Sequence, residues 1–394
     1  MNVQRQDLIL AIATLNAKIT EQLLLIIEAP ALKALFSQWF SIKLLVTAKE
    51  KDQQIHIRML NVNDTELKKD VGKNSDIESS KLFHKIYEEE LGTAGGTPFS
   101  VILYQDYFDL QNIKEVHFLK KMAEIGLVSL CPIVTQVAPQ TFSEDDFKSP
   151  IVFHRFFKEA GFETYNQFRQ NSASRFIALT LPRVEYYHPT FIFQKSYLWT
   201  IHLTAGTFLM LKMLESFKIT SWFSEGVGFF HFTPEDYFCT ETFLPQMAEE
   251  SLSAQGIIGL FQSHQNKLPY FSQLCTAHIH FDLASLLLEH LLAACRFAHY
   301  IKIIARDKIG SHVDEKECEL FISKFLAKYT NTNTKSGSQL KEQYPLKGYQ
   351  VSITKTPGKA GSYHCNIILE PHMKLENMTA KIALTSEIID YSQS

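Results

Sequence analysis

Several common signatures are missing from this 394-residue chain. No cysteine pair has Cys-x-x-Cys spacing. The six cysteines, Cys131, Cys239, Cys275, Cys295, Cys318 and Cys365, are scattered, which argues against a zinc ribbon or disulfide framework and for reduced, packed thiols. There is no Gly-x-Ser-x-Gly elbow, no His-Glu-x-x-His and no reactive-cysteine context. No uninterrupted apolar run reaches about 18 residues, the length a bilayer span requires. The polar N-terminus lacks the basic-then-apolar order of a secretory signal. Charge of one sign is missing too: 39 basic residues face 42 acidic ones, with no basic stripe suited to a nucleic acid. These absences lead to an expectation of a cytoplasmic protein with no cofactor, no nucleic-acid partner and no membrane insertion.

What is present is apolar and aromatic. Hydrophobic residues make up 45% of the chain, charged residues 21%, and phenylalanine alone occurs 30 times. That much ring area either fills a large core or leaves patches that need a partner. Apolar runs of strand length alternate with helical patterns, so the fold class expected is mixed α/β. Leu8, Ile12, Leu15, Ile19 and Ile26 recur at steps of three and four, an apolar stripe on a helix over residues 7–28. Pro30 ends it, and a second helix over 31–40 is followed by expected strands at 42–47 and 53–60. Asn63 caps a short charged helix, and another helix spans 79–91. Buried strands are expected at 99–103, 127–133 and 176–181, with a helix over 112–125. Long helices are expected over 197–217 and 281–309, the latter with a stripe of Leu287, Leu291, Ala294, Ala298, Ile301 and Ala305.

Residues 331–338 read as a polar linker. Beyond it the pattern turns to period two. Val351 and Ile353, Cys365 and Ile367, and Ile382 and Leu384 mark one face of three strands around a hairpin turn at 356–361. Three such strands are marginal alone and must pack on the body or on another chain. The domain division expected is a helical segment 1–41, an α/β body 42–330 and a strand segment 331–394.

The candidates for chemistry are few. The glycines of Gly92-Thr93-Ala94-Gly95-Gly96 follow a helix and end at Pro98, the reverse of a phosphate loop, so a helix-stopping turn is the better reading. Gly226-Val227-Gly228 lacks the rest of a dinucleotide fingerprint. His278-x-His280-x-Asp282 is the best metal candidate, for a metal-dependent hydrolase, but no third strong ligand group is apparent, and ordinary surface or core histidines are the better reading. His290 and His299 fall on roughly opposite helix faces. Glu88-Glu89-Glu90 point in three directions and suit a solvated helix better than paired acid and base. Arg306-Asp307-Lys308 are different: three adjacent charges close a long helix just before a glycine stop, and each needs a partner or water.

Four ordered blocks carry a family resemblance. They are Lys85-Ile86-Tyr87-Glu88-Glu89-Glu90-Leu91-Gly92-Thr93 with Gly95-Gly96-x-Pro98-Phe99; Ser174-Arg175-Phe176-Ile177-Ala178-Leu179-Thr180-Leu181-Pro182-Arg183; residues 297–311, beginning Phe297-Ala298-His299-Tyr300; and Pro357-Gly358-Lys359-x-Gly361-x-Tyr363 with Pro371-His372-x-x-Leu375-Glu376. Through these the chain resembles the large subunit of the type VI secretion contractile sheath. The resemblance implies a structural protein that pairs with a small sheath subunit and stacks with other large subunits into a helical tube. That tube surrounds an inner tube protein, grows from a baseplate and contracts. A sheath-like subunit of another contractile injection or phage-tail-like device is the alternative.

It further implies that the three terminal strands serve inter-subunit sheets and that the 8–26 stripe meets the small subunit or the chain's own body. Arg306, Asp307 and Lys308 are expected to face the inner tube or a neighbouring large subunit. The resemblance makes a recycling AAA+ unfoldase a further expected partner, but the N-terminal extension that gives the family a linker strand and the helix this unfoldase reads is expected to be missing here, and residues 221–280 match the family poorly.

Overall fold

The computed structural model describes residues 2–49, 55–73, 76–93, 95–142, 147, 157–158, 161–192, 195–223, 228–230, 238–262, 269–279, 287–309, 315–331, 344–355, 362–371 and 382–389. At its centre lies a six-stranded sheet with the order β1-β2-β3-β8-β9-β6. Strands β1 (Ile102–Phe108), β2 (Ile133–Val137), β3 (Ile177–Leu181) and β8 (Ile257–Gln262) run parallel. Strands β9 (Pro269–Phe271) and β6 (Gly228–Phe229) finish the sheet antiparallel. Such strands are covered on both faces, which is why they read as continuous apolar runs. Alternate residues serve opposite layers: Ile177, Leu179 and Leu181 point into one core, and Ala178 into the other.

The first core is closed by helix α5 (Ile113–Ser129), which joins β1 to β2, by α3 (Asp64–Lys73) and by α4 (Lys81–Phe83), whose chain continues through π-helical turns over His84–Gly92. Asp70 ties α3 to α4, accepting from the Ser80 hydroxyl and from the amides of Lys81 and Leu82 at 2.9, 3.1 and 3.1 Å. Burial opposes the charge on Asp70, but these bonds outweigh it and hold the carboxyl below its ordinary pKa.

The second core lies under helices α2 (Pro30–Ala48) and α7 (Ala205–Thr220) and under a three-stranded antiparallel sheet ordered β5-β4-β7. Its strands are β4 (Val184–Ile192), β5 (Lys195–Leu203) and β7 (Phe238–Thr240). Helix α7 approaches the main sheet at Gly206, where an added Cβ would lie 3.1 Å from Leu103 and from Val134. A third core joins helices α9 (Leu288–Ile309) and α10 (Glu315–Ala327) to a terminal antiparallel sheet of β10 (Leu346–Lys355), β11 (Ser362–Pro371) and β12 (Ile382–Ile389). The remaining helices are α1 (Asn2–Glu28), α6 (Glu163–Gln170) and α8 (Glu249–Ala254).

Several expectations are corrected. The strand expected at 42–47 is the end of α2: Phe36, Phe40, Ser41, Leu44 and Leu45 face inward at helical spacing, and a short apolar run fits either period. Residues 55–60 belong to no sheet. The strand expected at 127–133 is the last turn of α5, ended by Leu130 at φ 54°, and β2 starts only at Ile133. The helix expected over 197–217 is two elements. Residues 197–203 alternate and pair with β4, and Thr204 then caps α7 through its hydroxyl, 3.3 Å from the amide of Thr207. Helix α10 was not expected at all. The linker proper, the 356–361 turn, Met378 and Ala380 lie outside the described residues.

Candidate assembly surfaces

Helix α1 is apolar over most of its circumference, with Lys18 and Glu21 the only ionisable side chains between Leu8 and Ile27. A helix of that composition is ordinarily buried. Here Leu8, Ile12, Leu15 and Ile26 are 49–61% exposed, and Ile19 is half-buried. Leu10 and Leu25 are more exposed still. Its C-terminal end packs, through Ile27, on the second core. Most of the stripe is thus left exposed by the described residues of the body. Nearby, Leu35, Trp39 and Val46 on the outer side of α2 are also exposed. The sequence reading missed them, because a two-sided apolar helix hides which side is spare.

By length and composition residues Arg5–Glu28 could cross a membrane. The sequence reading missed this because Asn16, Lys18, Thr20, Glu21 and Gln22 interrupt the run. Lys18 at a bilayer midplane would cost about 2.5–3.5 kcal/mol, whereas a protein groove leaves its ammonium at a wet rim.

The terminal sheet packs on the chain's own body, one of the two placements expected for it. Its register sets Ile353 opposite Cys365, Val351 opposite Ile367, Ile367 opposite Leu384 and Leu369 opposite Ile382. The six residues singled out from the sequence thus share one face, as their alternation indicated. Ile353 and Ile367 are buried against Phe297, Ile301, Ile322 and Leu326 of the same chain, and Val351 packs beside them. The face is internal because α9 and α10 already cover it. What stays open to another chain is an edge: β12 has β11 as its only strand partner among the described residues.

Helix α9 joins the cores. Phe297 is fully buried, stacked on Trp222 at 4.8 Å between ring centres. Arg296 lies 4.5 Å over the same indole and donates to the Ser221 carbonyl. Lys302 sits 5.7 Å from the ring centre of Tyr87, so two of the four sequence blocks meet here. His299 donates from Nε2 to the Ser129 carbonyl at the end of α5, 2.9 Å away. Burial, then the nearby Lys302 charge, push the His299 pKa down to about 4 despite that bond.

The histidine is therefore neutral when folded and must be charged when unfolded in acid. Its contribution is complete above pH 6.5 and is lost as the pH falls from 6.5 towards 4. The expected loss is about 3 kcal/mol. Denaturant titrations across that window should show His299→Gln lacking this slope. Superimposable curves for the two proteins would refute the assignment. Arg306, Asp307 and Lys308 occupy the last turn of the same helix.

The other candidates resolve into structure. His278 is buried, with Nδ1 2.9 Å from Ser174 Oγ and 3.0 Å from the Asn171 carbonyl. Burial and the Arg175 and Arg169 charges lower its pKa, surroundings hostile to a cation. His280 lies outside the described residues, and among those described no group of three or more His, Cys, Asp or Glu could hold a metal. Glu88 pairs with His84, Glu89 with Lys85 at 3.9 Å, and Glu90 with Arg58. Glu90 also accepts from the Thr97 amide at 2.9 Å, bracing the glycine turn. The three carboxylates do diverge. In that turn Gly95 has φ 82°, and a Cβ on Gly96 would collide with the Glu90 carbonyl at 2.3 Å; the glycines shape a stop. Gly226 and Val227 lie outside the described residues.

Comparison with known proteins agrees with the blocks. Residues 10–230 match the family described as EvpB/VC_A0108, tail sheath N-terminal domain, and residues 276–388 the EvpB/VC_A0108, tail sheath gpW/gp25-like domain. The type VI secretion system sheath protein TssC1 of Pseudomonas aeruginosa is 28% identical over 430 residues, covering 96% of this chain and 85% of that protein. Solved structures include the baseplate of the anti-feeding prophage, at a TM-score of 0.44 and 10% identity over 84% of this chain and 83% of that one. Another is the contracted PVC sheath of an extracellular contractile injection system, at a TM-score of 0.36 and 10% identity. That match covers 64% of this chain and spans 59% of the sheath protein's length.

Proposed function

Because the chain belongs to the EvpB/VC_A0108 tail sheath family, we propose that it is the large structural subunit of a type VI contractile sheath, which works by assembly and contraction rather than by catalysis. The observation that carries this reading is α1: an apolar helix that the folded chain leaves exposed along most of its length. Protein surfaces of that kind belong to obligate assemblies, whose interfaces bury roughly 2,000 Å² or more. The small sheath subunit is the partner assigned to the Leu8, Ile12, Leu15, Ile19 and Ile26 stripe. Other large subunits add along the β12 edge, where backbone hydrogen bonds link neighbours while rigid bodies rotate. The baseplate starts the lattice, and the cytoplasm is its compartment.

Arg306, Asp307 and Lys308 set the register against the inner tube or the next large subunit, by charge pairing that salt weakens. Reversing Arg306 and Lys308 to Glu should leave the purified chain folded by circular dichroism, yet stop co-expressed subunits from pelleting as polymer. Wild-type pelleting with tube retained inside would remove this role.

A further inference from the structure

Arg296 on helix α9 pairs with no carboxylate among the described residues. Glu215, near the end of α7, is taken by Lys212 at 2.8 Å. Rings and a carbonyl hold the guanidinium instead. It lies 5.1 Å from the ring centre of Phe217, 4.5 Å from that of Trp222 and 5.7 Å from that of Tyr300. Nη1 donates to the Ser221 carbonyl, and Nη2 to the Tyr300 hydroxyl at 3.4 Å. The platform beneath is well braced. Ser221 ends α7 at φ 60°, and the Trp222 carbonyl accepts from the hydroxyls of Ser216 and Thr220 at 3.2 and 3.0 Å. The indole itself is buried against Phe297.

A guanidinium carries five N–H groups. Two are engaged here, which leaves three on a partly exposed side chain. The Tyr300 hydroxyl accepts from Arg296, so its own proton is left to donate. Around these donors the surface is apolar: Tyr300 is 38% exposed, and Ile219 on the last turn of α7 is 69% exposed. A fork of donors suits a planar carboxylate, which takes two N–H bonds at once. Arginine, tyrosine and tryptophan are also the residue types that dominate binding energy at protein interfaces. Charge decides against a phosphate. The C-terminus of α7 carries about −0.5 of an elementary charge. Beside Arg296 the balance is about +0.5, enough for a single carboxylate and too little for a phosphate of about −1.5 to −2.

We propose that Arg296 and Tyr300 form a docking socket for the carboxylate of a glutamate or aspartate on an acidic segment of a partner protein, with Ile219 packing against that segment. The braced platform holds the guanidinium in place before binding, so little side-chain entropy is lost when the carboxylate arrives.

Fluorescence polarisation of a labelled acetyl-Gly-Glu-Glu-Gly amide with the full chain at low salt tests this, against the same peptide with Gln in place of Glu. The Glu peptide should bind at least tenfold more tightly than the Gln peptide. Arg296→Lys keeps the charge, loses the fork and should remove most of that difference. Tyr300→Phe should weaken the Glu peptide at least threefold with the melting temperature unchanged; it decides the matter if Arg296→Lys fails to fold. Equal binding of the two peptides, no binding of either, or affinity untouched by Tyr300→Phe overturns the inference. Inorganic phosphate that competes as well as the Glu peptide overturns it by showing a general anion site. Glu225, the carboxylate nearest to Trp222 in sequence, lies outside the described residues. Binding that appears only in Glu225→Gln would assign the socket to the chain's own glutamate and overturn it too.

Discussion

Replacing Leu8, Ile12 and Leu15 together with Asp should abolish co-assembly with the small subunit while leaving the body of the chain as stable as before. These positions are 49–61% exposed in the isolated fold, so charging them removes nothing that the fold uses. Surface substitutions of that kind move stability by about 0.5 kcal/mol or less. In the assembly each buried aliphatic side chain contributes about 1.5–3 kcal/mol. Three of them, replaced by carboxylates that must also be desolvated, should cost more than 5 kcal/mol, over a thousandfold in affinity. Thermal melts and small-subunit pull-downs on the same preparations check both halves. A variant that melts early would place the stripe in the chain's own core. One that binds normally would take it out of the interface.

The second large effect is expected at Phe297. Its ring is fully buried among Trp222, Phe325 and Tyr329 at 4.8, 6.5 and 5.7 Å. It belongs to the third core, which holds the terminal sheet to α9 and α10. Phe297→Ala should cost about 3–5 kcal/mol. The loss should be local in its first consequence: β10 and β11 are fixed through Leu346, Ile353, Ile367 and Leu369, so their amides should lose exchange protection before those of β2 and β3. Phe297→Leu should recover much of the loss. Uniform loss of protection over the whole chain would show that the terminal sheet is not a separable layer.

The sequence disclosed some layers of this molecule better than others, for physical reasons. Period-two alternation in the terminal strands gave the right shared face, because register fixes every side chain at once. It could not tell whether that face met another chain or its own. The answer lay in α10, whose Ile322 and Leu326 cover it, and that helix was not anticipated. The apolar run at 42–47 and the aromatic stretch at 197–203 were given the wrong period, since runs of that length suit a buried helix and a buried strand equally. The stripe on α1 was legible from spacing alone, but its exposure was not: spacing says that a helix has an apolar side, and only the packed fold says what remains uncovered. His278 is a parallel case. The sequence reads it as an ordinary polar or core histidine rather than a ligand, but only the fold shows its hydrogen bond to Ser174 and the nearby Arg175 and Arg169 charges that lower its pKa.

The account as a whole meets its most direct test in electron microscopy of the full chain co-expressed with the small sheath subunit. Hollow tubules with a regular helical lattice are the expected result. A field of discrete heterodimers or monomers, under conditions where both chains are folded and abundant, would contradict the claim that this protein works as a unit of a polymer.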